Sequence, residues 1–455
     1  MQKREPNLQK QNIQRQDRPK QNMPKQNRSE QNRPKQDRQI QKSRKANSTK
    51  PGKTAEDEKG IRGDSRCRLS GKCGGCQFID IPYDIQISDK QKEIEELIGG
   101  FGPVEPMIRM KNPDHYRNKI TAVFAPAVFR GPGSRRTRQG TVLPVSGTYR
   151  KGTREVLEVR SCLIENTHAD RIIQTIRQLV AEFGIPVYDI MTQSGVFRYV
   201  QVRMAHRTHQ IMVTLVLSTP VFPHAGNFVK RLLEIHPEIT TVIHNINTRT
   251  DSMVLGEREK VLYGDGRIED ELCGKRFLIS SASFYQVNSI QTEKLYNIAI
   301  DMAGLSGKES VLDTYCGIGT IGIIASGRAG KVTGVELNAD AVRDAAENIR
   351  LNGCDNTEVI CDDATAFMVR AAKEGLPVDV VIMDPPRMGA TPEFLDALIK
   401  LSPDKAVYIS CNPVTLARDL AILAEGGYSM KKAVPVDMFP YTDSLECACL
   451  IVKKN

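Results

Sequence analysis

An α/β architecture is expected for the C-terminal part of the chain on three observations. From Gly307 onward, short apolar runs alternate with segments of helical spacing, the pattern of strands joined by crossover helices into a parallel sheet. The first of these runs leads directly into a glycine-rich turn, and the later ones end in polar residues. In an open α/β sheet, that end of the strands faces the ligand crevice. Upstream, to about Ile279, shorter strand-like runs with glycine punctuation predict a smaller α+β domain.

The chain has 455 residues, enough for two or three domains. Its net charge of +10 is uneven: residues 1–54 hold 16 Lys or Arg against 4 acidic residues, which leaves about −2 for the rest. Residues 11–40 repeat every five residues, from Gln11-Asn-Ile-Gln-Arg to Gln36-Asp-Arg-Gln-Ile. Five fits neither helix nor strand, and little in the repeat is apolar, so residues 1–60 are expected to form a disordered basic tail. Such an arm can hold polyanions by counterion release, or it can be a solvated extension with no specific task. No run approaches the ~20 apolar residues that cross a bilayer, and the N-terminus has no hydrophobic signal core. A cytoplasmic protein with no membrane partner is expected, and its eleven Cys then point to metal ligands and reactive thiols rather than disulfides.

Three of these Cys form Cys67-Arg-Leu-Ser-Gly-Lys-Cys73-Gly-Gly-Cys76, where the glycines permit the tight wrap that converging thiolates need. Cys162 is the nearest downstream candidate for a fourth ligand. The set suits a [4Fe-4S] cluster or a four-cysteine zinc site, and spacing alone leaves both open. Residues 61–88 are assigned to this loop and 89–279 to the α+β domain. A short helix is expected from Asp89 to about Leu97, and strands at Val196 to Arg203, Ile211 to Leu217 and Thr241 to Ile246. Two basic runs, Arg130 to Arg138 and Gly147 to Arg154, suit phosphate contacts and base stacking, or form solvated loops.

In residues 280–455, Ser310-Val-Leu-Asp313-Thr-Tyr315-Cys-Gly317-Ile-Gly319 reads as a strand entering a Gly-x-Gly turn. Glu336 ends the next strand 23 positions after Asp313, where a carboxylate can accept ribose hydroxyls. Asp363 follows a third strand, and Val378-Asp-Val-Val-Ile-Met-Asp384-Pro-Pro-Arg387 is a buried strand ending in a carboxylate. Together they predict a nucleoside cofactor, with S-adenosylmethionine favoured over a dinucleotide because the turn is read as missing a third glycine and as following an Asp. Val407-Tyr-Ile-Ser-Cys411-Asn-Pro413 reads as a strand whose carboxyl end presents a thiol; Pro413 cannot continue the strand, so Cys411 sits at the lip of the crevice. An inert structural Cys is the bland alternative.

With these strands in place, residues from about Cys67 to the end resemble the RNA (uracil-5-)-methyltransferase family. The resemblance is carried by Tyr116-Arg-Asn-Lys119, Phe284-Tyr-Gln286-Val-Asn288, Asp313-x-Tyr-x-Gly-x-Gly, Asp384-Pro-Pro-Arg387, Ser410-Cys411-Asn412-Pro413 and Glu446. It implies a Rossmann-like class I methyltransferase domain, preceded by a cluster loop and an RNA-binding domain. It further implies that Gln286, Tyr315, Glu336 and Asp384, with Asp363, bind S-adenosylmethionine, that Cys411 is the nucleophile and that Glu446 is the base. The cysteine set Cys67, Cys73, Cys76 and Cys162 resembles the iron-sulfur branch, which implies a [4Fe-4S] cluster and a monomeric enzyme that methylates 23S ribosomal RNA. The same chemistry on a transfer-RNA loop, or a non-catalytic RNA-binding protein on this scaffold, are the alternatives. The chain departs from the family in lacking a β-barrel module before Cys67, and in carrying Ser444-Leu445 where relatives commonly have His-Val.

Overall fold

A buried face that is half polar hides the true start of the first helix among the described residues. The computed structural model describes residues 65–126 and 143–454, so the repeat tail and the basic run 130–138 lie outside the described residues. The first helix, α1 (Tyr83–Ile98), begins at Tyr83 rather than Asp89. It buries Gln86, Lys90, Ile94 and Ile98 along one face. The i, i+4 spacing is helical, but two of the four buried residues are polar, which breaks the apolar periodicity a sequence reading relies on.

The central sheet is built from β1 (Lys119–Ala125), β2 (Val145–Tyr149), β3 (Val156–Glu158), β4 (Phe197–Met204), β5 (Ile211–Leu217), β6 (Ile239–Ile246) and β7 (Arg258–Tyr263), in the order β3-β2-β1-β4-β5-β6-β7. β1 alternates buried and half-buried residues, as a strand with one covered face must. Helices α2 (Thr167–Glu182) and α3 (Ala225–Ile235) cover that face. Ile172, Ile176 and Phe228 pack there against Ile120, Phe124, Val200 and Leu215. β5 and β6 run parallel, joined through α3, and the other neighbours are antiparallel. A hairpin, β8 (Ile268–Leu272) and β9 (Lys275–Ile279), leads out of this region.

The C-terminal part opens with α4 (Ser289–Ala303) and then alternates as expected: β10 (Ser310–Thr314), α5 (Thr320–Ser326), β11 (Lys331–Glu336), α6 (Ala339–Leu351), β12 (Thr357–Cys361), α7 (Ala364–Glu374), β13 (Val380–Met383), α8 (Pro392–Leu401), β14 (Lys405–Ser410) and α9 (Pro413–Glu425). An antiparallel pair, β15 (Tyr428–Val436) and β16 (Glu446–Lys453), closes the chain. The strand order is β12-β11-β10-β13-β14-β16-β15. β10 pairs with β11 on one side and β13 on the other, all parallel, so the winding reverses at β10 and opens a crevice at its carboxyl end. Both faces of the sheet are covered by apolar cores, one containing Leu295, Ile323 and Val407, the other Phe394, Leu398 and Tyr408. This explains why β13 is a continuous buried run, Val-Val-Ile-Met. β16 inserts antiparallel beside β14, aligning Ser410 with Cys447, and so brings Glu446 to the edge where Cys411 emerges. Among the described residues no helix is long and apolar enough to cross a membrane.

Candidate active site

The glycine turn after β10 shapes the crevice. Tyr315 adopts φ +63°, and Gly317 and Gly319 adopt +56° and +81°, a left-handed path that only glycine follows without strain. Gly322 completes a Gly-x-Gly-x-x-Gly spacing, which corrects the expectation that the third glycine is missing. Its N–H donates to Asp313 Oδ2 at 2.8 Å, and a Cβ there would lie 3.0 Å from the same oxygen, so glycine lets α5 approach the strand. Asp313 Oδ1 is buried with no partner, and burial pushes this carboxyl up to about 7.

Glu336 at the end of β11 accepts from the backbone N–H of Gly317 at 3.0 Å and of Asn338 at 2.8 Å. Its carboxylate is thereby fixed at the mouth of the turn. Tyr315 is half-buried with its ring 5.7 Å from that of Phe394. Asp363 serves as the N-cap of α7, accepting from Ala366 N at 2.9 Å. Gln286 is buried on the segment between β9 and α4, where its carbonyl accepts from Asn118 Nδ2 at 3.0 Å. Asn118 also donates to Ser289 Oγ at 2.9 Å, so the Tyr116-Arg-Asn-Lys119 stretch fastens Gln286 in place.

Cys411 lies between the end of β14 and the start of α9. Asn412 caps that helix, its side chain accepting from Val414 N at 3.2 Å, and Pro413 occupies the first helical turn, where its missing N–H costs nothing. Asn412 Nδ2 also donates to the Arg387 carbonyl at 2.9 Å, which stitches the Asp-Pro-Pro-Arg loop to the cysteine turn. Burial pushes the Cys411 thiol up to about 11, and the charges of Glu446 and Asp384 add to it against Arg387. Glu446 is buried, its Oε2 has no partner, and burial together with Asp384 holds its carboxyl well above the ordinary range, with Arg387 opposing. Asp384 is reachable from solvent yet ringed by protein, and burial raises it to about 7. The structure thus gathers Cys411, Glu446, Asp384 and Arg387 within one another's fields. Tyr296 of α4 belongs with them: its buried hydroxyl contacts the side chains of Thr320 and Gln286 and feels Asp384 and Glu446. Sequence reasoning missed it, because a Tyr on an apolar helix face reads as core.

Burial disfavours ionisation of both Asp384 and Glu446, Asp384 adds to the effect at Glu446, and Glu446 Oε2 has no partner, so the crevice is short of positive charge and of donors to that oxygen. These residues fit a sulfonium cofactor and a base that donates hydrogen bonds.

The four cysteines Cys67, Cys73, Cys76 and Cys162 are unpaired and half-buried, and they line one cavity of about 280 Å3. Burial raises the thiols of Cys73, Cys76 and Cys162, the last two to about 11 and about 12, and Cys67 and Cys73 add to the shift at Cys76. Among the described residues no group of three or more His, Cys, Asp or Glu side chains is arranged to hold a metal ion.

A family model described as tRNA (uracil-5-)-methyltransferase matches residues 258–454. An uncharacterized RNA methyltransferase of Bacillus cereus is 36% identical over 395 residues, covering 86% of this chain and 83% of its own length. One from Listeria innocua is 38% identical over 392 residues, covering 85% and 83%. The chain belongs to the RNA (uracil-5-)-methyltransferase family. As such it is an S-adenosylmethionine-dependent RNA methyltransferase. Among solved structures, the Pyrococcus abyssi tRNA (uracil-54, C5)-methyltransferase in complex with S-adenosyl-L-homocysteine superimposes with a TM-score of 0.69 at 26% identity, over 84% of this chain and 87% of that one. The likeness covers the α/β fold and supports S-adenosylmethionine as the methyl donor of this methyltransferase.

Folding favours the protonated form of an acid whose folded pKa is raised, so the ionised form costs stability as pH rises from about 4 towards 7. Asp384→Asn removes that cost. The gain in thermal midpoint of the ligand-free methyltransferase over wild type should therefore be larger at pH 8 than at pH 5; an equal or reversed gap would contradict the buried-carboxyl reading.

Proposed function

We propose that the protein methylates carbon 5 of a uridine in 23S ribosomal RNA through a covalent bond between Cys411 and carbon 6 of the base. The observation that carries this reading is the convergence of the thiol of Cys411 and the unpartnered carboxyl of Glu446 in one crevice. Carbon 5 of uracil is too weak a nucleophile to attack a sulfonium methyl unaided. Addition of the Cys411 thiolate to carbon 6 makes an enolate whose electron pair is available at carbon 5, and covalent catalysis divides the difficult step. S-adenosylmethionine supplies the methyl group and a positive charge. Arg387 favours both the thiolate of Cys411 and the ionised form of Glu446. After transfer, Glu446 takes the carbon 5 proton, the double bond re-forms and Cys411 leaves with its electron pair. Gln286, Tyr315, Glu336, Asp384 and Asp363 are the residues proposed to hold the methyl donor. The uridine must leave its stack to reach the crevice.

In this reading residues 1–60 form a basic tail, 61–88 a cluster loop, 89–279 an RNA-binding domain and 280–455 the methyltransferase domain of a monomeric cytoplasmic enzyme. Cys67, Cys73, Cys76 and Cys162 would hold a [4Fe-4S] cluster, which stabilises the loop, since methyl transfer consumes no electron. What supports this reading is that all four cysteines line one cavity. Ribosomal RNA is favoured by this cysteine set. The second reading, a transfer-RNA uridine, is favoured by the substrate named for the Pyrococcus abyssi structure.

Cys411→Ala should abolish methylation and leave S-adenosylmethionine affinity within about twofold by calorimetry; retained turnover would remove the nucleophile. Glu446→Gln should accumulate an RNA–protein adduct that survives denaturing electrophoresis, and lost activity without adduct would remove the base. Anaerobically purified protein should be brown with about four iron atoms per chain; stoichiometric zinc without iron would exclude the cluster.

A further inference from the structure

The connection between β15 and β16, residues 437–445, delivers Glu446 to the crevice, and it is held largely from outside the catalytic sheet. Lys90 of α1 reaches into it with all three ammonium hydrogens occupied. It pairs with Asp437 Oδ1 at 2.6 Å and donates to the carbonyls of Ser444 at 2.9 Å and Phe439 at 3.2 Å. One buried side chain therefore grips the beginning of the connection and a residue two positions before Glu446. The partner Asp437 is fully buried, and its other oxygen accepts from the Tyr83 hydroxyl at 2.7 Å. A second tie lies a turn away on α1, where Gln86 Oε1 accepts from Tyr441 N at 3.0 Å. The Tyr441 hydroxyl accepts from Arg66 at 2.7 Å and donates to Asp114 at 2.5 Å. Tyr441 itself adopts φ +67°, which a bulky residue keeps only where its surroundings over-determine it.

A buried ion pair is poor evidence of stabilisation, because desolvation cancels much of the attraction. This one spans 347 residues of sequence and ends beside the catalytic carboxyl, where an error of about 1 Å can cost on the order of 100-fold in rate. We propose that Lys90 is a positioning residue for Glu446: its ammonium, shared among Asp437, Phe439 and Ser444, fixes both ends of the connection and thereby the place of the carboxyl opposite Cys411. The inference rests on Glu446 being the base that resolves the adduct.

The test compares wild type, Glu446→Gln and Lys90→Met/Asp437→Asn, the last removing both charges together so that neither is left buried alone. Deproteinised 23S ribosomal RNA from cells lacking the protein and S-adenosylmethionine are added, and the covalent RNA–protein adduct is quantified beside the thermal midpoint and the affinities for both substrates. The double variant should melt within a few degrees of wild type and bind both substrates within about twofold. Its adduct should be about 10-fold or more above wild type, because addition proceeds while proton removal slows. A folded double variant with adduct at the wild-type level, while Glu446→Gln accumulates it, overturns the positioning role alone. Adduct in neither overturns the base assignment beneath it. Where the double variant does not fold, Lys90→Arg, which keeps a cation beside Asp437 but cannot hold the same three acceptors from one nitrogen, should show a smaller rise, and a wild-type level overturns the proposal.

Discussion

The site depends on keeping acidic groups where water stabilises their charge poorly. Asp384 ends β13, and Glu446 begins β16 on the far side of β14, so the sheet order brings both to the edge where Cys411 emerges. Each disfavours ionisation of the other and of the thiol, and Arg387 is the cation that opposes all this. Such a crevice is poor at holding charge when empty. In the proposed reaction a cation and hydrogen-bond donors would balance it, which would link binding and activation through the same electrostatics.

Much of the catalytic half is legible in the sequence because its signals are local. The buried run before Cys411, the glycine turn and the Asp-Pro-Pro-Arg loop each combine a strand with the residue that ends it, within about ten positions. β5 occupies the expected Ile211–Leu217, while β6 starts two residues before Thr241. Illegible were the features that depend on distant partners. α1 reads short because Gln86 and Lys90 occupy its buried face, and nothing near them announces Asp437 or Tyr441. Tyr296 reads as core for the same reason. Gly322 was legible and overlooked, and its use is to admit the Asp313 carboxyl, a role that no spacing rule states.

The segment before the central sheet is tied to the connection between β15 and β16. Phe78 N donates to the Tyr441 carbonyl at 2.9 Å, and Tyr441 packs in a small core with Ile79, Met110, Tyr116 and Ile164, against which Cys67, Cys76 and Cys162 are set. The cysteine loop and the connection that carries Glu446 thus share one core. A group bound by those cysteines would steady the entry to the crevice without touching the reacting atoms, and the turn at Arg150 and Lys151 is tied to the same loop by Lys151 N donating to the Lys72 carbonyl at 2.9 Å.

The measurement that bears most directly on the account is a map of 5-methyluridine, by nuclease digestion and mass spectrometry, in 23S ribosomal RNA and bulk transfer RNA from cells lacking this protein and from the parent strain. The account predicts loss of a 23S mark with the transfer-RNA marks unchanged. Loss confined to transfer RNA, or no loss in either, would contradict it.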